Sequence, residues 1–558
     1  MDNYTIADNF SILSKLMDIH GDNSFKAKSY AAAAFTIEKL PMQLSEMPLD
    51  KIQSVKGIGA SIGKNVIEQI QTGSFSILQE YIQKTPEGIL TMMQIKGIGP
   101  KKIATIWKDL EIETIGELFY ACEENRLANY KGFGEKSQQN IKEAISFYLG
   151  SQGSYLYQQM EIFVQNFQDN LAKQFPDFRF SIAGSYALQT ELISELMWIT
   201  TISIPTLANF LALQGYEIKI ISDTNLQVES SIKLPINFIQ TSEENFYNCQ
   251  FKNTCSESFL KAWKEQTDWN ESENFISDMA IFESKNIPFI PVYQRENASI
   301  IQEAIQKKIK PVIQVNDIKS IIHSHSNWSD GAETLEAMAN AAKEKGYEYL
   351  VISDHSQSAF YANGLREERI VSQHHQIDEL NKKLYPFRIF KSIESDILND
   401  GSLDYPDEVL GNFDLVIASV HSNLKMTEEK AMMRLMNAIE NPFTSILGHL
   451  TGRLLLSRNG YPVDHLKIID ACVANNVVIE LNAHPRRLDI DWRWIKAATD
   501  KGVLISINPD AHAIEGFDDC KYGVLVAQKA GLTKYQNLSS YSLSDFEEFI
   551  MEQHQKRG

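Results

Sequence analysis

The apolar pattern divides the chain into three styles. Residues 1–150 read as mostly helical, and the helical pattern is interrupted three times by one short turn. Residues 151–300 read as mixed α/β, with strand-like runs at Phe178–Ala183 and Tyr216–Ile221 between helical patterns. Residues 297–318 read as a linker helix and crossing segment around Pro311. From residue 319 onward, short continuous apolar runs alternate with helical stretches, and polar residues sit just past each run. The run ends are Ser320-Ile-Ile-His323-Ser-His325, Tyr349-Leu-Val-Ile-Ser-Asp354-His355, Ile389-Phe-Lys-Ser-Ile-Glu394, Leu415-Val-Ile-Ala-Ser-Val-His421, Ser445-Ile-Leu-Gly-His449, Val477-Val-Ile-Glu480-Leu-Asn482 and Val503-Leu-Ile-Ser-Ile-Asn-Pro-Asp510-Ala-His512. Continuous apolar strands followed by helices predict a parallel sheet. Seven strands that end in potential ligands predict a seven-stranded barrel, because a barrel gathers its strand C-termini on one face.

The interrupting turns are Ser54-Val-Lys-Gly-Ile-Gly-Ala-Ser-Ile-Gly-Lys64, Gln94-Ile-Lys-Gly-Ile-Gly-Pro-Lys-Lys102 and Asn129-Tyr-Lys-Gly-Phe-Gly-Glu-Lys-Ser137. The first glycine of each (Gly57, Gly97, Gly132) suits the left-handed backbone that ends a helix. The second (Gly59, Gly99, Gly134) lets the chain pass close to a partner and leaves the N–H groups of the next helix free. Free N–H groups at a helix start suit a phosphate, and Lys56, Lys96 and Lys131 add charge beside them. The motif resembles the helix-hairpin-helix, which grips the DNA backbone without reading sequence.

Composition narrows the class. A chain of 558 residues with 43% hydrophobic and 22% charged residues fits three or four ordinary globular domains. No apolar run approaches the roughly 18 residues of a membrane span, and MDNYTIADNF lacks the features of a secretory signal. Five scattered cysteines build neither a disulfide scaffold nor a thiolate zinc site. The expected compartment is the cytoplasm. A net charge of -19 argues against coating of nucleic acid by the whole surface but leaves room for a local basic site.

Of 12 histidines, only His20 precedes position 322. His323, His325, Asp330, His355, Glu394, His421, His449, Asp510 and His512 come from six of the seven strand ends. Nitrogen and oxygen ligands without thiolate suit manganese or zinc, with iron(II) a third choice. Nine ligands suit two or three ions rather than one. In His323-Ser-His325 the imidazoles need not face opposite ways, because the strand is already turning. Glu394 is expected to bridge ions, as the one carboxylate between the histidine pairs that ends a strand, and Arg453 and Arg486 are candidate phosphate holders. Glu394, Asp510 and Arg453 form the expected catalytic set.

This pattern closely resembles the PHP (polymerase and histidinol phosphatase) domain over about 240 residues. The matching pieces are His323-Ser-His325, Ser329-Asp330-Gly331, Ser353-Asp-His355, Ile393-Glu394-Ser-Asp, Ala418-Ser-Val-His421, Gly448-His449-Leu-Thr-Gly-Arg453 and Pro509-Asp-Ala-His512. The resemblance implies a (β/α)7 barrel with a trinuclear site and phosphoesterase activity. It places His323, His325, Glu394 and Asp510 on one metal, Glu394, His421 and His512 on a second, and Asp330, His355 and His449 on a third. Leu450 stands where the family has proline, and His484-Pro485 where it often has Asn-Pro; neither change removes a ligand.

Helix-hairpin-helix turns, a small α/β region and a PHP domain in this order resemble the bacterial family X DNA polymerases. That resemblance implies a helical domain with the first turn at 1–85, a fingers-like domain with the other two at 86–150, a palm at 151–240, a thumb at 241–300, a linker at 301–318 and the PHP domain at 319–558. The palm departs from the family. Gly184 and Ser185 remain, but Ala187 and Leu188 replace the two arginines, Glu195 and Met197 replace the first two aspartates, and Pro235 stands at the third. A thioether and a proline do not hold Mg²⁺, so the palm is expected to fold without polymerising. Asn65 stands where some members carry a Schiff-base lysine. The expected function is metal-dependent phosphoester hydrolysis on DNA, as a 3′–5′ exonuclease or repair nuclease. The alternatives are a small-molecule phosphatase of the histidinol-phosphatase kind and a non-catalytic DNA-binding scaffold.

Overall fold

The computed structural model describes residues 1–38, 40, 42–95, 97–150, 153–229 and 234–557. The chain forms two compact units, residues 1–123 with 130–148, and residues 124–129 with 149–558. The first unit is all-helical around a core that includes Phe10, Leu13, Tyr30, Ile52, Val66 and Phe75. The first glycine of each Lys-Gly-apolar-Gly turn is left-handed, whereas the second differs: Gly59 and Gly99 have φ of -74° and -83°, and Gly134 has φ 157°. Gly57, Gly97 and Gly132 have φ of 91°, 97° and 97°. The apolar residue that follows donates its N–H to a carbonyl three residues back: Ile58 to Val55, Ile98 to Ile95 and Phe133 to Tyr130. The side chain of that residue turns inward, and a helix starts at once: α1 (Ala60–Thr72), α2 (Pro100–Lys108) and α3 (Glu135–Gly150).

In the second unit a five-stranded sheet comes first. Its strands are β1 (Phe180–Ala183), β2 (Leu196–Thr200), β3 (Glu217–Ser222), β4 (Asn225–Glu229) and β5 (Pro235–Gln240), in the spatial order β1-β2-β5-β4-β3. Trp198, Phe167, Leu226 and Phe238 pack one face of it against helices.

The seven strands expected after residue 319 are all present and all parallel: β6 (Ser320–Ser324), β7 (Tyr349–Ile352), β8 (Arg388–Asp396), β9 (Leu415–Ser419), β10 (Thr444–Leu447), β11 (Val478–Asn482) and β12 (Ile505–Asn508). Neighbours in space are neighbours in sequence. The barrel is closed at its C-terminal rim, where Ser324 bridges Ala511 and the His325 N–H donates to the Ala511 carbonyl at 2.8 Å.

Side-chain parity explains the contents of the barrel. Alternate strand residues face the same way. Outward positions such as Leu350, Ile389, Val416, Leu447, Ile479 and Ile505 pack under the surrounding helices. Inward positions start apolar at the N-terminal end: Ile322, Tyr349, Val351, Phe390, Leu415, Ile417, Ile446 and Val478. The C-terminal helix Leu543–Lys556 closes that end with Phe546, Phe549 and Ile550. Two to six residues further on, the same parity reaches Ser353 and His355, Glu394 and Asp396, Ser419 and His421, and Glu480 and Asn482. One end of the barrel is therefore a hydrophobic plug and the other a polar mouth.

Phe546 is fully buried, with its ring centroid 4.5 Å from that of Tyr349 and 4.9 Å from that of Phe390. Phe546→Ala should destabilise the barrel by about 3–5 kcal/mol. Denaturant unfolding followed on the metal-loaded protein checks this, and a loss below 1 kcal/mol would contradict the plug.

Candidate metal centre at the barrel mouth

The first two histidines depend on a break in strand alternation. Pairing between β6 and β7 shifts register between Ile321 and Ser324, and His323 has φ 64°. Left-handed backbone costs a non-glycine residue roughly 1–2 kcal/mol and is typical of functional positions. Its effect is to bring both imidazoles to the mouth, with ring centroids 5.3 Å apart. Asp510 has φ 53°, and its strand extension carries His512 as well.

Glu394 occupies the centre. It is fully buried, and β8, at nine residues, is the longest barrel strand, which lifts Glu394 into the mouth. Its Oε1 lies 3.2 Å from His323 Nε2, 3.1 Å from His421 Nε2 and 3.0 Å from His449 Nε2. Its Oε2 lies 2.9 Å from His355 Nδ1 and 3.7 Å from His325 Nε2. Asp510 Oδ1 stands 3.1 Å from His325 Nε2 and 3.4 Å from His323 Nε2. Asp330 lies 3.5 Å from His355 Nε2 and 3.4 Å from His512 Nε2.

Among the described residues, three groups have ligand atoms close enough to share an ion: His323, His325, Glu394 and Asp510; His355, Glu394 and His421; and His325, Asp330, His355 and His512. The first is the group implied by the PHP resemblance. The other two differ from it. His512 falls beside Asp330 rather than His421, because the last strand closes against the first and carries His512 to the β6 side of the mouth. His449 points to Glu394 rather than Asp330, because β10 lies across the mouth from the loop that holds Asp330.

The donor atoms fit divalent cations. His323 Nε2, His325 Nδ1, Asp330 Oδ2, Glu394 Oε2 and His512 Nε2 are buried and make no hydrogen bond, a costly state for converging polar atoms unless a cation satisfies them. Electrostatics agree. Burial alone would raise the three carboxylates, yet the surrounding imidazoles hold Glu394, Asp330 and Asp510 well below the usual carboxylate range. Burial likewise opposes charge on the imidazoles, and the carboxylates overcome it. His421 is raised to about 10, His512 to about 9, and His323 and His355 well above 6.5. His325 is lowered, by burial first and then by His512 and His355.

Several residues around these candidate ligands, some of them named at the strand ends, had no role in the sequence reading. Glu394 is not the only carboxylate ending a strand. Asp396, two residues on and therefore on the same face, takes His421 Nδ1 in a short hydrogen bond, and Glu480 takes His323 Nδ1 at 2.7 Å. Asp354 accepts from the backbone N–H groups of Ser326 and Ser329, from both their hydroxyls and from Gln373, fixing the loop that carries Asp330. The signal available was the i, i+2 spacing of acids and amides past each strand.

Arg453 does not face the mouth. Its Nε donates to the Arg487 carbonyl at 2.9 Å, Nη1 to Asp491 at 2.6 Å and Nη2 to the Leu488 carbonyl. The guanidinium is used in clamping segment 487–491 and is corrected from phosphate holder to structural clamp. Arg486 is also buried, while Arg487 brings its Nε within 3.9 Å of Asp510 Oδ2.

The remaining sequence candidates lie elsewhere. Lys56 and Lys131 are exposed, as are Gly57, Gly59, Gly97, Gly99 and Gly132, while Gly134 is half-buried; Lys96 lies outside the described residues. A Cβ at Gly59, Gly97, Gly99, Gly132 or Gly134 would meet nothing within 4 Å, so these turns are open to an approaching backbone. In the five-stranded sheet, Glu195 accepts from Asn237 Nδ2 at 2.8 Å, and Met197 pairs with Asn237 in register. The residue facing Glu195 on β5 is thus Asn237, two beyond the expected Pro235. The Leu188 carbonyl accepts from Lys529 Nζ at 2.6 Å.

An imidazole binds an ion only when neutral. Since His421 and His512 hold protons up to about 10 and 9, loading Zn²⁺ at pH 7.5 should release protons, and affinity should rise with pH between 6 and 9. Calorimetric titration in two buffers of different ionisation enthalpy reads this. Equal heats in both buffers would contradict it.

Comparison with known proteins agrees with this architecture. Family models match a helix-hairpin-helix domain at residues 1–75, a SAM-like helix-hairpin-helix tandem at 89–146 and a PHP domain at 322–484. A DNA polymerase/3′-5′ exonuclease PolX of Bacillus subtilis is 34% identical over 563 aligned residues, covering 96% of each chain. A probable phosphatase of Thermoanaerobacter sp. is 26% identical over 253 residues, 42% of this chain and 96% of its own. A probable phosphatase of Acetivibrio thermocellus is 30% identical over 169 residues, 29% of this chain and 64% of its own. With helix-hairpin-helix turns ahead of the sheet and a PHP barrel behind it, matched end to end by such a relative, the chain belongs to the PolX family of bacterial family X DNA polymerase/3′-5′ exonucleases.

Proposed function

We propose that this chain is a metal-dependent 3′–5′ exonuclease or repair nuclease whose polymerase site no longer works. The observation that carries the reading is the gathering of nine candidate nitrogen and oxygen ligands at one barrel mouth in a chain that also carries three Lys-Gly-x-Gly sequences, five of whose six glycines have open space around them. The domain limits follow the family: helical domains at 1–85 and 86–150, palm at 151–240, thumb at 241–300, linker at 301–318 and PHP barrel at 319–558.

His323, His325, Asp330, His355, Glu394, His421, His449, Asp510 and His512 would hold two or three divalent ions, manganese or zinc before iron(II). Such ions supply Lewis acidity and lower the pKa of water, the needs of phosphodiester hydrolysis at neutral pH. The protein orients the ligand rings: Glu480 and Asp396 fix His323 and His421, and Arg487 sets a positive charge beside Asp510. The helix starts after Gly59, Gly99 and Gly134, with Lys56, Lys96 and Lys131, would hold the DNA backbone.

Three features support loss of the other activities. Glu195 faces an amide and a thioether, and a single carboxylate does not place two magnesium ions about 4 Å apart. At the arginine positions stand Ala187 and Leu188, and Lys529 of the barrel already takes the Leu188 carbonyl. Asn65, at the Schiff-base position, is buried with its amide donating to the Tyr30 hydroxyl at 3.3 Å.

A second reading, hydrolysis of a small phosphomonoester, is favoured by the probable phosphatases similar to 42% and 29% of this chain. Comparing hydrolysis of 3′-recessed DNA with that of a phosphomonoester separates the two.

Glu394→Ala should release metal and lower hydrolysis of 3′ ends at least 100-fold, mainly in turnover, while Glu195→Ala leaves hydrolysis unchanged. No primer extension should occur with Mg²⁺ or Mn²⁺. Near-normal nuclease turnover in Glu394→Ala would refute the assignment, and template-directed extension abolished by Glu195→Ala would refute the dead palm.

Changing Lys56, Lys96 and Lys131 together to Glu should weaken DNA binding alike for all sequences and flatten its salt dependence by about three counterions. Unchanged affinity across a salt series would return the turns to a packing role.

A further inference from the structure

Six of the seven barrel strands end in a residue of the nine-ligand set. β11 does not. What β11 brings to the mouth is Glu480, a fully buried carboxylate that points inward by the same parity as its neighbours. Its four hydrogen bonds all run to the metal centre or its supports. Oε2 takes His323 Nδ1 at 2.7 Å and Asn508 Nδ2 at 2.8 Å. Oε1 takes the backbone N–H of His449 at 2.9 Å and Asn482 Nδ2 at 3.3 Å. Asn482 Nδ2 also donates to Asp510 Oδ2 at 3.0 Å.

We infer that Glu480 is a positioning residue for the ion held by His323, His325, Glu394 and Asp510. This rests on the metal-centre reading above and adds a residue to it. A carboxylate that only accepts fixes the His323 ring with its proton on Nδ1. Once the ring is neutral, as an ion requires, the lone pair is on Nε2, which lies 3.2 Å from Glu394 Oε1 and 3.4 Å from Asp510 Oδ1. An ion among those atoms meets a ring already turned to it and made more basic by the carboxylate behind it. The need for such a hold is local. His323 sits in left-handed backbone at a register shift, where strand pairing does not fix its side chain. The second oxygen, through His449 N–H and Asn482, fixes the neighbouring strand end and Asp510. One carboxylate on the strand without a ligand thereby sets ligands from β6 and β12 and the backbone of a third on β10.

The amide of Glu480→Gln keeps the size of the side chain but cannot accept at both ends. It either turns an N–H toward the His449 N–H or meets His323 with a donor. The experiment measures Zn²⁺ per chain after dialysis, the chelator concentration that removes half of it, and the melting temperature of the metal-free protein. The unchanged protein should retain at least two ions per chain. Glu480→Gln should retain one fewer, with the most labile ion removed at 10–100-fold less chelator, the usual effect of losing such a partner. Asn508→Ala, which removes one of four donors, should shift the midpoint a few-fold in the same direction and serves if the amide variant fails to fold. Ion content and chelator midpoints equal to the unchanged protein in both variants, whatever the melting temperature, would overturn the role of Glu480 while leaving the metal centre standing. Fewer than two ions in the unchanged protein would overturn the metal-centre reading and this inference with it.

Discussion

A carboxylate without water must be met by positive charge, and Glu394 is such a group, with five imidazoles within 3.7 Å. The long third barrel strand, the left-handed His323 and the closure of the last strand on the first all bring cationic or ligating groups to that carboxylate. The apolar plug at the opposite end allows this concentration of polar groups, because it supplies barrel stability from the far side of the same strands.

The surrounding partners separate the ligands into two kinds. His323 and His421 each have a dedicated carboxylate behind them, Glu480 and Asp396. His325 Nδ1 lies 3.9 Å from Asp330, itself a candidate ligand, and its imidazole belongs to two candidate groups, 4.2 Å from His512 and 4.4 Å from His355 by ring centroid. Rings held from behind keep one tautomer and one direction, whereas a stacked ring between two groups can serve either. This accounts for the place of His325 in two of the three groups.

The five-stranded sheet separates the positions that pack its core from those at the proposed palm site. Trp198, Phe238 and Phe167 still pack its core, with ring centroids about 5–6 Å apart, so the positions that hold the sheet together are kept. On the other face stand Met197 and Asn237, with Glu195 accepting from Asn237, and the adjacent Leu188 carbonyl accepts from Lys529. Core packing and the proposed palm site fall on opposite faces of the same strands, so a change at one can leave the other in place.

By itself, the sequence determined the seven parallel strands, the candidate ligand residues at their ends and the glycine turns. Each rests on a local rule: continuous apolar runs make buried strands, strand ends converge in a barrel, and a left-handed position calls for glycine. The inward parity running from Tyr349 and Val351 to His355, or from Leu415 and Ile417 to His421, is also written in the sequence. The roles of Arg453, Glu480, Asp396 and Asn237, and the placing of His449 and His512, were decided only by the tertiary structure. An arginine reads the same whether it meets a phosphate or clamps a loop. Whether His512 meets Asp330 or His421 depends on which strands close the barrel, a relation between residues nearly two hundred positions apart that no local pattern records.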